Sequence, residues 1–223
     1  MTRVLPRTHF HSSRLVRVLA DLAAVKAVAP GPALAENLGL WVDYTDAITL
    51  CAVHNASTGP APTGTPPDAR QSIADEFARQ RTALERAITS SPLPVPEPDA
   101  LPAHTARELG AAYEPYRRYY QTQQRDMQLA IAALRAKVRD TLARSSPALR
   151  HLAALDAAFE AILQERESRL LATVPKLLMR RFAHGLAGFG KELQTVLLAE
   201  LDLRLQTTQG LLEALHQETS PIP

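Results

Sequence analysis

From Tyr116 to Leu142 the apolar residues Tyr116, Tyr120, Met127, Ile131, Leu134, Val138 and Leu142 are spaced by four, seven, four, three, four and four. That rhythm is a narrow stripe close to a heptad, the pattern of a long helix in a bundle or coiled coil. It is the strongest constraint in the chain, because so long a helix cannot fit inside a compact sheet protein. A second ridge, Leu193, Leu197, Leu201 and Leu205, keeps a spacing of four and is joined by Leu212 and Leu215. Alternating β-type runs of useful length are missing, and β-branched residues are scattered. The expected fold is therefore all-α: an elongated antiparallel helical bundle with coiled-coil-like long helices and two Pro-rich loops.

The stretches between the stripes place the elements. Ser12 and Ser13 can cap a first helix over about residues 12–28, which Pro30-Gly31-Pro32 stops. A second helix is expected over 33–55, followed by a Pro/Gly/Thr-rich loop at 56–68. Asp68, with Gln71, can cap a third helix over 69–89, whose inward face is Ile73, Phe77, Leu84 and Ile88. The five prolines of residues 90–102 break helical structure. These marks divide the chain into an N-terminal helical region (1–90), a Pro-rich linker (91–104), a long-helix bundle (105–218) and a tail (219–223). Thr105 and Glu108 form a capping-box pair, a kink is expected at Pro115, and Ser145-Ser146-Pro147 separates two long helices that should lie antiparallel. The helix after Pro147 should bend or end at Pro175 and extend to about His184. The narrow stripes need covering by the third and last helices or by a second subunit.

Charge and cysteine content narrow the function classes. With 25 basic and 23 acidic side chains the net charge is +2, which argues against a dedicated nucleic-acid binder. One cysteine, Cys51, excludes an intrachain disulfide. No secretory h-region and no long uncharged apolar run is present, so a cytoplasmic protein without membrane insertion is expected.

Three constellations invite a chemical reading. The stretch HGLAGFGKEL places Gly185, Gly190 and Lys191 as in a phosphate-binding loop. Such a loop needs a strand leading in and a Ser or Thr after the lysine. Here helix-period residues lead in and Glu192 follows, so a joint between helices is expected, with a nucleotide site as an alternative. The segment WVDYTDAITLCAVH gathers Trp41, Asp43, Asp46, Cys51 and His54. Cys51 and His54 are one turn apart, but zinc needs three or four ligands and none lies nearby in sequence. The expected role is an amphipathic helix burying Leu38, Trp41, Tyr44, Ile48, Cys51 and Ala52. No metal or other cofactor is expected. The third is YEPYRRYYQTQQR, which carries four of the five tyrosines. Tyr113, Tyr116, Arg117, Tyr119 and Tyr120 form the candidate interaction surface, either a helix seam or a protein-binding patch. A nucleic-acid alternative would use Tyr116, Arg117, Tyr120, Lys176, Arg180 and Arg181.

The segments SRLVRVLADLA, LGLWVDYTDAITLCAVHN and LLAELDLRLQTTQGLLEALH together make the chain resemble a proteobacterial family catalogued as a domain of unknown function. The resemblance spans both ends of the chain and carries over no catalytic residues. It implies a neighbourhood of membrane proteins resembling proton-channel stator and outer-membrane-anchoring components, and hence a cytoplasmic accessory of an envelope assembly. The function expected from all of this is a non-enzymatic helical scaffold or adaptor that binds a protein partner and self-associates, a dimer being the expected state.

Overall fold

A computed structural model describes residues 13–22, 42–56, 66–90, 106–185 and 187–218. Among them are seven helices and no strand. They are α1 (Arg14–Leu22), α2 (Tyr44–Asn55), α3 (Pro67–Ser90), α4 (Ala106–Ser145), α5 (Pro147–Leu171), α6 (Val174–Ala183) and α7 (Phe189–Gln217).

The 40-residue α4 is the backbone of the fold, about 60 Å long at 1.5 Å per residue. It runs through Pro115, where a kink is expected, as one element. Every residue of the stripe read from Tyr116 to Leu142 is buried. Helix α4 packs most extensively against α7 and α5, and also against α3 and α6. Ser146 alone joins α4 to α5; its hydroxyl accepts from the Leu149 amide at 3.2 Å, and Pro147 takes the first helical position. The chain therefore reverses there, and Arg135 and Arg139 of α4 meet Asp156 and Glu160 of α5.

The final leucine ridge is the centre of the molecule. Leu193, Leu197, Leu201 and Leu205 are all sealed from solvent. One core joins the first half of α7 to α1, α6, the end of α3 and the start of α4. A second, smaller core joins the end of α7 to Ile73, Val138, Leu142, Leu149 and Ala153, and Phe77 packs against both. Asp202 of α7 receives Arg14 of α1 at 2.8 Å and Arg81 of α3 at 3.0 Å, so one carboxylate fastens two helices.

Several boundaries differ from the sequence reading. Helix α2 begins at Tyr44, not near residue 33: Val42 lies outside it, and residues 33–41 fall outside the described residues. The reason is local. Asp43 accepts from the Asp46 amide at 2.8 Å, and Asp46 accepts from the Asp43 amide at 3.1 Å, a reciprocal cap that starts a helix there. Pro67 already belongs to α3, so Asp68 sits in its first turn and does not cap it. Ser13 caps α1, accepting from the Val16 amide at 3.2 Å. The Thr105 cap, most of both Pro-rich stretches and the tail fall outside the described residues.

The stretch HGLAGFGKEL is a joint between two helices. Helix α6 ends at Ala183, Gly185 and Gly188 take φ values of 146° and 77°, and α7 starts at Phe189. Gly190 and Lys191 lie inside the first turn of α7. Glu192 pairs with Arg181 at 2.8 Å, and Arg181 also donates to the Gly185 carbonyl at 3.0 Å, which clamps the elbow. At Gly188 a Cβ would meet no atom within 4 Å, so only the left-handed backbone opposes it. Gly188→Ala is expected to cost about 1–2 kcal/mol in urea unfolding.

Candidate functional site

The tyrosine cluster is mostly a seam, not a surface. Tyr113, Tyr116 and Tyr120 are buried, Tyr119 is half-buried, and Arg117 is exposed and paired with Glu114 at 2.8 Å. The Tyr113 hydroxyl donates to the Pro175 carbonyl at 2.8 Å and ties α4 to α6. Tyr119 donates to the Ile88 carbonyl at 3.0 Å and ties α4 to α3. The ring of Tyr116 packs on Phe182 and Phe189. As a protein-binding patch the set therefore fails for its three buried members, which cannot reach a partner. The nucleic-acid set loses Tyr116 and Tyr120 for the same reason, and Arg181 is held by Glu192; Lys176 and Arg180 remain exposed.

Tyr120 leads to a buried polar centre that sequence reasoning missed. Glu200, in the middle of the leucine ridge, has no solvent exposure. It accepts from the Tyr120 hydroxyl, from Gln124 Nε2 at 3.0 Å and from Arg204 Nε at 2.9 Å. Arg204 continues outward to Glu167 of α5 at 3.3 Å. A carboxylate in such a core persists because its oxygens are saturated by donors. Four-residue spacing from Tyr120 to Gln124 and from Glu200 to Arg204 puts each pair on one helix face, the only sequence signal available.

Burial pushes the Tyr113 phenol up to about 12. Burial, and then the charge of Glu200, pushes Tyr120 further up. In an unfolded chain a phenol ionises near 10. The stability tied to the Tyr113 proton is therefore complete below about pH 10 and is lost as pH rises through about 12, while the Tyr120 contribution goes on falling above that. The urea midpoint should fall across that interval, in step with phenolate absorbance.

A groove of about 340 Å³ opens between α4, α5 and α7 beside this centre, with Ile131, Phe159 and Leu163 among its lining. Its arginines are engaged: Arg135, like Arg139 next to it on α4, bridges Asp156 and Glu160, and Arg204 bridges Glu200 and Glu167. This arrangement zips α4 to α5 and fastens α7 to both.

Helix α2 departs most from expectation. It lies against α5, with the His54 and His151 rings 5.5 Å apart. Its inward side is Asp46, Leu50 and Val53, and none of its residues is fully buried. Tyr44, Ile48, Cys51 and Ala52, expected to face inward, are exposed instead, Tyr44 at 82% and Ile48 at 53%. Leu38 and Trp41 fall outside the described residues. The helix is apolar on both sides, so its periodicity could not choose the buried one. His151 is the one additional ligand-type side chain that the ring contacts bring to His54, and no group of three His, Cys, Asp or Glu side chains able to hold a metal occurs among the described residues.

These features define an all-α bundle of long antiparallel helices, closed by a central C-terminal helix and carrying one mostly apolar helix on its outside. The chain belongs to the family described as "Protein of unknown function (DUF3348)", whose pattern matches residues 1–187 and 184–217. Comparisons with curated proteins and with solved structures gave no match. Among the described residues no helix is long and apolar enough to cross a membrane.

Proposed function

We propose that the protein is a non-enzymatic helical scaffold or adaptor, cytoplasmic and homo-oligomeric, that offers a helix face to a protein partner. The observation that carries this reading is the outward side of α2. Tyr44, Ile48, Cys51 and Ala52 are exposed there, and no charged residue lies among them. A helix on the outside of a globular protein ordinarily turns a polar or charged face to water. An aromatic and a branched aliphatic side chain one turn apart are what a partner helix or groove would take as anchors.

The test compares wild-type protein with Ile48→Glu as bait in the native cell extract, watching for neighbouring gene products of the envelope. Ile48 is half out of the fold already, so the change should alter folding stability by no more than about 0.5 kcal/mol. Specific capture by the wild type and its loss in Ile48→Glu is the expected result. Equal capture by both would remove α2 from the reading. Binding of a polyanion that weakens steeply with salt would favour nucleic acid instead. ATP with magnesium is expected to leave the melting temperature unchanged in the wild type and in Lys191→Ala alike.

A further inference from the structure

We infer that the outward face of α2 is a self-association surface, and that its occupant is α2 of a second copy of this chain lying antiparallel across a two-fold axis. The inference rests on the reading of α2 as a docking helix and names the partner.

The chemistry of the face selects its complement. Its centre line is Tyr44, Ile48 and Cys51, flanked by Ala47, Ala52 and Asn55, all exposed and all uncharged. A charged partner surface would have to shed water against a face that returns no ion pair. A second copy of the same face meets that condition at no such cost. The ends of the helix set the direction. Asp43 stands exposed at the N-terminal end, and His54, also exposed, is the basic-type residue of the last turn. Antiparallel pairing brings the acidic end of each copy to the histidine end of the other and opposes the two helix dipoles. A parallel pair would stack carboxylates on carboxylates.

A two-fold axis makes the contact isologous, so that each pairing occurs twice. Setting it between Ala47 and Ile48 packs the two Ile48 side chains close together and places Tyr44 of each copy over Cys51 of the other. The face is 12 residues long, about 18 Å. At a helix width of about 10 Å the strip covers roughly 200 Å², short of the roughly 800 Å² per partner in a standard stable interface. The dimer is accordingly weak and depends on concentration, as suits an adaptor that exchanges a copy of itself for another partner.

Purified full-length protein in a dilution series by light scattering and sedimentation is the first arm. The expected result is a dimer that dissociates on dilution. Ile48→Glu puts two like charges beside the axis and should weaken the dimer at least about tenfold. The second arm is Tyr44→Cys, oxidised with a mild thiol oxidant. Positions 44 and 51 of one chain are about 10 Å apart along the helix, too far for an intrachain disulfide. Across the axis the new cysteine faces the native Cys51, so covalent dimers should form, and Tyr44→Cys/Cys51→Ser should not form them to the same extent. Three results would overturn the inference: a wild type monomeric at every concentration, a dimer that Ile48→Glu leaves intact, or wild-type dimers linked Cys51 to Cys51. A monomer that still captures another protein through Ile48 would sink the second copy alone. A monomer whose melting temperature drops in Ile48→Glu would mean that the face is covered within its own chain, and both readings would fall.

Discussion

Arg204→Ala should unfold the protein more readily by about 3–5 kcal/mol, the cost of leaving a buried charge without its partner. The argument rests on Glu200, which is sealed from solvent and receives Arg204 at two nitrogens, 2.9 and 2.8 Å away. Tyr120 and Gln124 would remain as donors, but neither carries charge. Urea unfolding with an unchanged slope would check it, because the loss belongs to the native state. A cost under about 1 kcal/mol would mean that water reaches Glu200 and that the centre is not a closed one.

Removing the whole centre should behave differently. Tyr120→Phe, Gln124→Leu, Glu200→Leu and Arg204→Met together leave no stranded polar atom in that set. Such exchanges of buried ionic groups for apolar ones are often neutral or stabilising by about 1–4 kcal/mol. What the quadruple variant should lose is uniqueness. Leu193, Leu197, Leu201 and Leu205 repeat every four residues, so a slip of α7 by one turn would bury nearly the same side chains. Glu200 meets Tyr120 and Gln124 in only one register. Amide spectra of the quadruple variant should therefore show more than one set of resonances in α7. A single sharp set would deny the centre this role.

That contrast explains what was legible in the chain and what was not. The leucine ridge and the stripe of α4 announce burial through spacing alone, and every residue of both is buried. The cap at Ser13 is readable because a hydroxyl beside a helix start readily accepts from the first-turn amides; the same reading misplaces Asp68, because Pro67 starts that helix one residue earlier. Asp43 and Asp46 carry a start signal too, but the apolar spacing on either side of Val42 does not show that the helix begins at Tyr44. Glu200 looked like one more charged residue between leucines. Its burial depends on Tyr120 and Gln124, some 80 residues earlier, and no local pattern reports so distant a partner. Helix α2 failed for the opposite reason: apolar on both sides, it offered two faces, and the contact with α5 decided between them.

Phe189→Ala is expected to cost about 3–5 kcal/mol, the usual range for emptying a buried phenyl site. The residue is the first of α7, directly after the left-handed Gly188, yet it is 1% exposed. Its ring meets Phe182 at 5.1 Å and Tyr116 at 5.3 Å, both near edge-on, and lies 6.3 Å from Tyr113. Phe182 sits in the last turn of α6, so the two phenyl rings close the elbow from either side while the α4 tyrosines receive them. Each such ring pair adds roughly 0.5–1.5 kcal/mol beyond its buried area, which places Phe189→Ala toward the upper part of the range. The melting temperature should fall by about 10 °C, given roughly 2–4 °C per kcal/mol for a chain of this size. Gly188→Ala, one residue away, is expected to cost less than half as much, since it strains one backbone position and empties nothing. The comparison decides what makes the turn. If the two losses were equal, the glycine backbone would set the elbow; a clear excess for Phe189 would show that the aromatic cluster holds α7 against the bundle and that the glycines only permit the chain to get there.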